Sequence, residues 1–218
     1  MIDLYGVNGM EHIKIEVVRT LEVGGHTLIV EGPIPPERLQ NYRLHEKLDA
    51  FRKPEAQLKA LVRIASFPEG RIIAAREGDL IVGYVTFHYP DELERWSQGG
   101  IEELIELGAI EVADEYRGLG IGKAMLEVAF AHGQLDNMIV FTTEYYWHWD
   151  LDGTKLGVWE YRNMMERLMK SVGMVCLPTD DPEIRSHPAN CLMVRIGSKV
   201  PQEAIEKFDQ LRMRRLWE

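Results

Sequence analysis

The run Arg117-Gly118-Leu119-Gly120-Ile121-Gly122-Lys123 constrains this chain more than any other stretch. It follows a strand-like segment, Leu107 to Val112, and opens a helix-like one, Ile121 to His132. Alternating glycines at such a junction let a ligand come close to the backbone and allow turns with positive φ. The first N–H groups of a helix have no intrahelical acceptor, so they point at an anion with the helix dipole behind them. Arg117 and Lys123 add positive charge at either end. The expectation is a pyrophosphate cradle. A nucleoside-triphosphate loop needs its first glycine where Arg117 stands and a hydroxyl residue where Ala124 stands, so that class is excluded. A dinucleotide fingerprint needs its third glycine one residue later and a βαβ context, neither of which is present. A glycine-rich turn that binds nothing does not account for the flanking strand, helix and two cations.

The 218 residues suit one globular domain with terminal extensions. No apolar run approaches the roughly 20 residues needed to span a bilayer. Met1 to Gly6 has neither a charged n-region nor an apolar h-region, so no secretory signal is expected. The formal charge of −10 disfavours nucleic acid and acidic membranes and suits a cationic, lysine-bearing partner. Cys176 and Cys191 do not form a Cys-x-x-Cys pair, and the expectation is small, buried, reduced thiols.

Element signals run along the chain in a definite order. Ile13 to Val18 and Thr27 to Glu31 flank Gly24-Gly25 as a first hairpin. Pro54 opens a helix with Leu58, Leu61, Val62 and Ala65 on one face. Arg71 to Ala75 and Leu80 to Phe87 join at Glu77-Gly78-Asp79 as a second hairpin. A polar, turn-rich stretch from Tyr89 to Gly100 precedes the strand Leu104 to Val112, the glycine loop and its helix. Met138 to Thr143 is a strand. Val158, Tyr161, Met165, Leu168 and Val172 mark an amphipathic helix that Gly173 caps. Val175 to Leu177 and Cys191 to Ile196 are strands. Pro201 opens a last helix with Ile205, Phe208 and Leu211 on one face.

Arg117, Gly120 and Gly122 match the Gln/Arg-x-x-Gly-x-Gly/Ala acyl-CoA loop, and the element order agrees, so the chain resembles the GNAT N-acetyltransferases. Tyr84-Val-Thr-Phe87, Glu94-Arg-Trp-Ser-Gln98, Leu107-Gly-Ala-Ile-Glu-Val-Ala113, Thr142-Thr-Glu-Tyr-Tyr-Trp-His-Trp-Asp150 and Ser186-His-Pro-Ala-Asn-Cys-Leu-Met193 resemble, within that family, the acetoin-utilization branch of bacilli. The resemblance covers nearly the whole chain. It implies an α/β (α+β) GNAT fold with a mixed central sheet flanked by helices. The implied divisions are a hairpin extension over 1–35, an acetyltransferase domain over 36–198 and a C-terminal helix over 199–218. It also implies a cytoplasmic protein acetyltransferase that uses acetyl-CoA and inactivates a protein substrate, acetyl-CoA synthetase, by acetylating a lysine. Two other readings share the fold: a small-molecule amine acetyltransferase, and a regulatory protein that senses acetyl-CoA with little turnover.

On the family pattern, backbone groups of Ile110, Glu111 and Val112 pair with pantetheine, and the loop from Arg117 through Gly118, Leu119, Gly120, Ile121 and Gly122 to Lys123 holds the pyrophosphate. An attacking lysine must first lose a proton, since its reference pKa is near 10.4, and a carboxylate is the usual acceptor. Glu106 and Glu111 are the candidates. Five residues apart on one strand, they are expected on opposite faces. Glu106 stands where histone-acetylating relatives carry their general base. Many GNAT members place a Tyr four residues before the glycine that ends the fourth helix; here, before Gly173, that residue is Met169, leaving Tyr145, Tyr146 and Tyr161 as candidate acids. Glu144, Tyr145, Tyr146, Trp147 and Asp150 are the expected acceptor site, with rings for a lysine stem and carboxylates for its ammonium. His148, Asp150 and Asp152 lack a second ligand cluster, so no metal is expected. His187 is expected as a loop hydrogen-bonder. Arg212, Arg214 and Arg215 lie on the last helix, which is expected to pack on the core.

Overall fold

A computed structural model describes residues 10–214. The expectations at Met1 to Gly6 and at Arg215 fall outside them. Strands β1 (Val17–Val23) and β2 (His26–Gly32) pair antiparallel, with Val23 opposite His26. The two-residue turn between them holds Gly24 and Gly25 at φ 60° and 84°, the left-handed backbone such turns need. The first strand is therefore counted back from the turn and starts at Val17, later than the expected Ile13.

A short helix α1 (Pro36–Leu39) and a two-residue strand β3 (Arg43–Leu44) follow. Helix α2 (Pro54–Ala65) has Pro54 in its first turn, where no N–H is missed. Then come β4 (Arg71–Glu77), β5 (Leu80–His88), β6 (Leu104–Val112), α3 (Ile121–Ala129) and β7 (Ile139–Glu144). Helix α3 stops before the expected His132, because His132 takes φ 57° and Gly133 φ 66°. The chain continues through α4 (Leu151–Thr154), α5 (Val158–Lys170), β8 (Val175–Leu177), α6 (Pro182–Arg185), β9 (Cys191–Ile196) and α7 (Gln202–Arg212). Among the described residues no helix is long and apolar enough to cross a membrane.

The nine strands form one mixed sheet in the order β1-β2-β4-β5-β6-β7-β9-β8, with β3 beside β5. The N-terminal hairpin is part of this sheet, through β2 on β4. Along β5, alternate residues face opposite layers. Phe87 meets Phe130 edge-on at 6.0 Å, and a side chain at Gly83 would touch Met125 of α3. Tyr84 faces the other way and hydrogen-bonds Gln57 of α2. Met165, Leu168 and Met169 of α5 join the main core. Ala204, Phe208 and Leu211 of α7 close a second core with Trp96, Ile139 and Phe141, as the apolar stripe of that helix requires. Met169, at the family's tyrosine position, is buried in the main core.

Two irregularities position the site. Strands β6 and β7 are parallel and pair only over Leu104–Glu106 and Ile139–Phe141. Beyond Glu106 the two strands share no further pair, so the β7-side edge of β6 is open. Opposite, β6 pairs with β5 with a bulge: Ala109 faces Thr86 and Leu107 faces Phe87, leaving Gly108 as the extra residue. A Cβ at Gly108 would stand 2.2 Å from His88 Nε2, so only glycine fits beneath that ring.

Candidate active site

The bulge corrects the expectation that Glu106 and Glu111 point to opposite faces. Glu106 is opposite His88 and Glu111 opposite Tyr84, and His88 and Tyr84 are an even number of residues apart on β5. The extra residue at Gly108 shifts the alternation, so both carboxylates lie on the α2 and α7 side of the sheet. Their surroundings then separate them. Glu111 is buried, accepts the Tyr84 hydroxyl, and accepts the Ala50 N–H at 3.0 Å. One oxygen holds the loop before α2 and the other is taken by Tyr84 of β5. Glu106 makes no hydrogen bond or ion pair among the described residues. Burial is the main cause that pushes its pKa up to about 8, and the negative charges of Glu94 and Asp91 add to it. It sits at the last β6–β7 pair, where the open edge begins.

Along that edge the backbone alternates. Ala113 N–H donates to Val82 C=O at 2.9 Å, so odd-numbered residues of this stretch turn their polar groups toward β5. Ile110 and Val112 therefore present theirs to the open edge, and Glu111 does not. The Val112 carbonyl accepts from Arg117 Nε at 3.1 Å.

The glycine loop has the expected form. Gly118 and Gly120 take φ 77° and 78°, and a Cβ on either would meet nothing within 4 Å, so the loop surface is open. The first bond of α3 runs from Ala124 N–H to Gly120 C=O at 3.0 Å. The N–H groups of Ile121, Gly122 and Lys123 are left without an intrahelical acceptor. Leu119 packs against the Gly24 turn, and Gly122 leaves room for Leu168 of α5. Lys123 is exposed, 3.8 Å from Glu127. Arg117 is not the free cation expected. Its guanidinium bonds Asp150 at 2.6 Å and Asp114 at 2.9 Å, which ties the loop to the segment after β7.

That clamp changes the acceptor site. Asp150 is committed to Arg117 and also caps α4 through Gly153 N–H at 2.8 Å, and the Arg117 guanidinium is the first cause that holds its pKa down. It is not free to take a lysine ammonium. Glu144 accepts Trp149 Nε1 at 2.9 Å and lies opposite Cys191, a main-core residue, so it faces α5 rather than the α2 and α7 side. Burial raises its pKa to about 7. Trp149 stacks on Tyr161 at 5.2 Å, and burial raises the Tyr161 pKa. Tyr146 is anchored by its N–H to Asn190 Oδ1 at 3.0 Å, with its ring 4.2 Å from His187. His187 accepts from Ala189 N–H, as expected of a loop hydrogen-bonder.

Tyr145 and Trp147 stack at 4.8 Å and line a cleft of about 610 Å³. The rest of its wall includes Leu93, Glu94, Asp181 and Glu183. Leu93 is 91% exposed and Trp147 46%. A second cleft of about 410 Å³, lined by Gln57, Thr86, His88, Asp91 and Gly108, lies between α2 and the bulge. Sequence reasoning missed Asp91, Glu94, Asp181 and Glu183. The first two stand in the stretch read only as polar and turn-rich, and nothing local announces that it folds over β6. Its one signal was Trp96, an apolar anchor inside a polar run.

The sequence pattern of the Acetyltransferase (GNAT) family matches residues 38–146. The chain is 58% identical to the acetoin utilization protein AcuA of Bacillus subtilis (strain 168) over 203 residues, covering 93% of this chain and 97% of that one. It is 56% identical to AcuA of Bacillus licheniformis, with the same coverage. The crystal structure of an acetoin utilization protein from Exiguobacterium sibiricum 255-15 superposes with a TM-score of 0.91 at 52% identity, covering 94% of this chain and 97% of that one. The GNAT domain of S. lividans PAT, at 15% identity and TM-score 0.51 over 82% of this chain and 96% of that one, shares the fold.

Proposed function

The chain belongs to the GNAT acetyltransferase family, and from that premise we propose that it carries acetyl from acetyl-CoA to a lysine of a partner enzyme, acetyl-CoA synthetase, and so inactivates it. In this reading the protein works in the cytoplasm. The donor lies along the open edge of β6, with pantetheine paired to Ile110 and Val112 and the pyrophosphate on the N–H groups of Ile121, Gly122 and Lys123. The observation that carries the reading is Glu106: a carboxylate without a partner among the described residues, where β6 and β7 part, its pKa pushed up to about 8 by burial and like charge. Such a group takes a proton from an incoming ammonium far better than an ordinary surface glutamate. The freed amine attacks the thioester carbonyl, the carbon–sulfur bond breaks, and the CoA thiolate leaves.

The acceptor side supports a protein substrate. Glu94 and Glu183 beside Tyr145 and Trp147 suit an ammonium on an apolar stem. Leu93 and Trp147 are exposed to a degree that suits contact with another protein's surface rather than with a polyamine. The test is incubation with acetyl-CoA and purified acetyl-CoA synthetase, followed by mapping of acetyl-lysines by mass spectrometry and assay of the synthetase. Stoichiometric acetylation with loss of synthetase activity is expected. Absence of any new acetyl-lysine would sink the proposal, and inhibition without modification would leave a low-turnover sensor in its place.

A further inference from the structure

The two thiols that sequence spacing left unrelated are brought together by the β8–β9 ladder. Cys176 stands opposite Met193, so Cys191, two residues along β9, is its diagonal neighbour on the same face. Their side chains share that face as neighbours, and each thiol perturbs the other. One is accessible and the other is not: Cys176 is exposed, Cys191 buried. Arg162 of α5 places its Nη2 3.6 Å from the Cys176 sulfur. Glu166 lies beside this guanidinium at 3.5 Å, and Glu144 is opposite Cys191 on β7. An exposed thiol beside a guanidinium, with a second thiol diagonal to it on the same sheet face, is the arrangement of an attacking and a resolving cysteine.

We propose that Cys176 and Cys191 are a peroxide-reactive dithiol, in which Cys176 is oxidised first and Cys191 closes the disulfide. The Cys176 thiolate attacks one oxygen of hydrogen peroxide. A sulfur–oxygen bond forms, the oxygen–oxygen bond breaks, and hydroxide leaves to become water. The Cys191 thiol then gives up its proton and attacks the sulfenic sulfur, and the second hydroxyl leaves as water. Two thiols and one peroxide become one disulfide and two waters. The electrostatics favour this order. The neighbouring Cys191 thiol and then the Arg162 charge hold the Cys176 pKa down, whereas the neighbouring Cys176 and burial push Cys191 up. Strand β8 is three residues long and last in the sheet, so little pairing resists the small approach that closure needs. The site matters to its surroundings because Arg162 also donates to Ala189 C=O at 2.7 Å, next to the Asn190 that anchors Tyr146.

The full-length protein is treated with hydrogen peroxide, alkylated under denaturing conditions, and analysed by intact mass and peptide mapping. The expected product has lost two hydrogen atoms, takes no alkyl group, and yields a peptide pair linking Cys176 to Cys191. In Cys191→Ser the oxidation stops at a sulfenic acid on Cys176, trapped by dimedone. In Arg162→Gln the disulfide forms several-fold more slowly at neutral pH, since less thiolate is present. Two thiols that remain fully alkylatable under peroxide that oxidises free glutathione would overturn the proposal. So would a disulfide that joins two chains instead. The wild-type measurement needs no variant to fold, and none of these readouts depends on acetyl transfer.

Discussion

Glu106 and Glu111 are the same residue type on the same strand face, and their partners decide what each does. Glu111 has a hydroxyl and an N–H on its oxygens. Glu106 has buried surroundings and two like charges. Glu106→Gln is expected to lower kcat by about 10²- to 10⁴-fold, the usual contribution of a general base. Because the base works only when deprotonated, kcat/KM of the natural enzyme is expected to rise with pH and level off above about 8, and the variant is expected to lose that rise. Stability provides a second reading of the same group. A carboxylate whose folded pKa lies above its unfolded one binds its proton more tightly when folded, so its contribution is full at low pH and is lost as pH rises through the folded value. The unfolding free energy from urea titration is expected to fall from pH 5 to pH 9 in the natural protein, and to fall less in Glu106→Gln, by on the order of a few kcal/mol. Glu111→Gln is expected to lower stability at both pH values and to leave the pH profile of the residual activity in place. The residue types of both glutamates were legible in the sequence. Their shared face was not, because a single extra residue at Gly108 reverses the alternation on which strand reading depends.

At the scale of elements, the loop between β6 and α3 and the bulge within β6 use glycine for opposite reasons. Gly120 is left-handed with open space around it, which is the requirement of a backbone that meets a ligand. Gly120→Glu places a carboxylate over the free N–H groups of α3 and adds strain at φ 78°. It is expected to abolish acetyl-CoA binding by calorimetry, and unchanged binding would remove the loop from the donor site. Gly108 is glycine because His88 lies on it. Gly108→Ala forces that ring or the strand to move, and is expected to lower the unfolding free energy measured in urea by about 1–3 kcal/mol, as overpacking does, while acetyl-CoA binding persists. The loop, its strand and its helix were legible because glycine spacing, apolar clustering and helical periodicity are local signals. Arg117 shows the limit of such signals. Its charge was visible, but its commitment to Asp114 and Asp150 was not, since one partner lies 33 residues away in sequence.

At the scale of the whole molecule, one sheet separates two chemical sides. Helices α3 and α5 lie on the side of the loop, whereas α2, α7 and the folded-over stretch around Trp96 lie on the side of Glu106 and the aromatic cleft. Helix α7 stabilises the second of these by burying Phe208 against Trp96 and Phe141, neighbours of the cleft wall. Phe208→Ala is expected to cost about 3–5 kcal/mol in urea unfolding, from lost burial and the cavity left behind. It is also expected to raise KM for the acceptor more than for acetyl-CoA, measured with each substrate varied in turn. By itself the sequence determined the order of the longer elements, the glycine-rich loop between β6 and α3 and the family, because each rests on local periodicity, turn chemistry or residue identity along a contiguous stretch, whereas α1, β3, α4 and α6 are too short to carry such a signal. Only the tertiary structure decided which carboxylates are free. Among the described residues Glu106 is left without a partner, whereas Glu111, Glu144 and Asp150 are each taken by a distinct neighbour. The same was true of the thiols, which β8 and β9 bring side by side. The physical reason is that a charge or a nucleophile is defined by what surrounds it. In this chain those surroundings are assembled across strand pairings, and no local pattern encodes them.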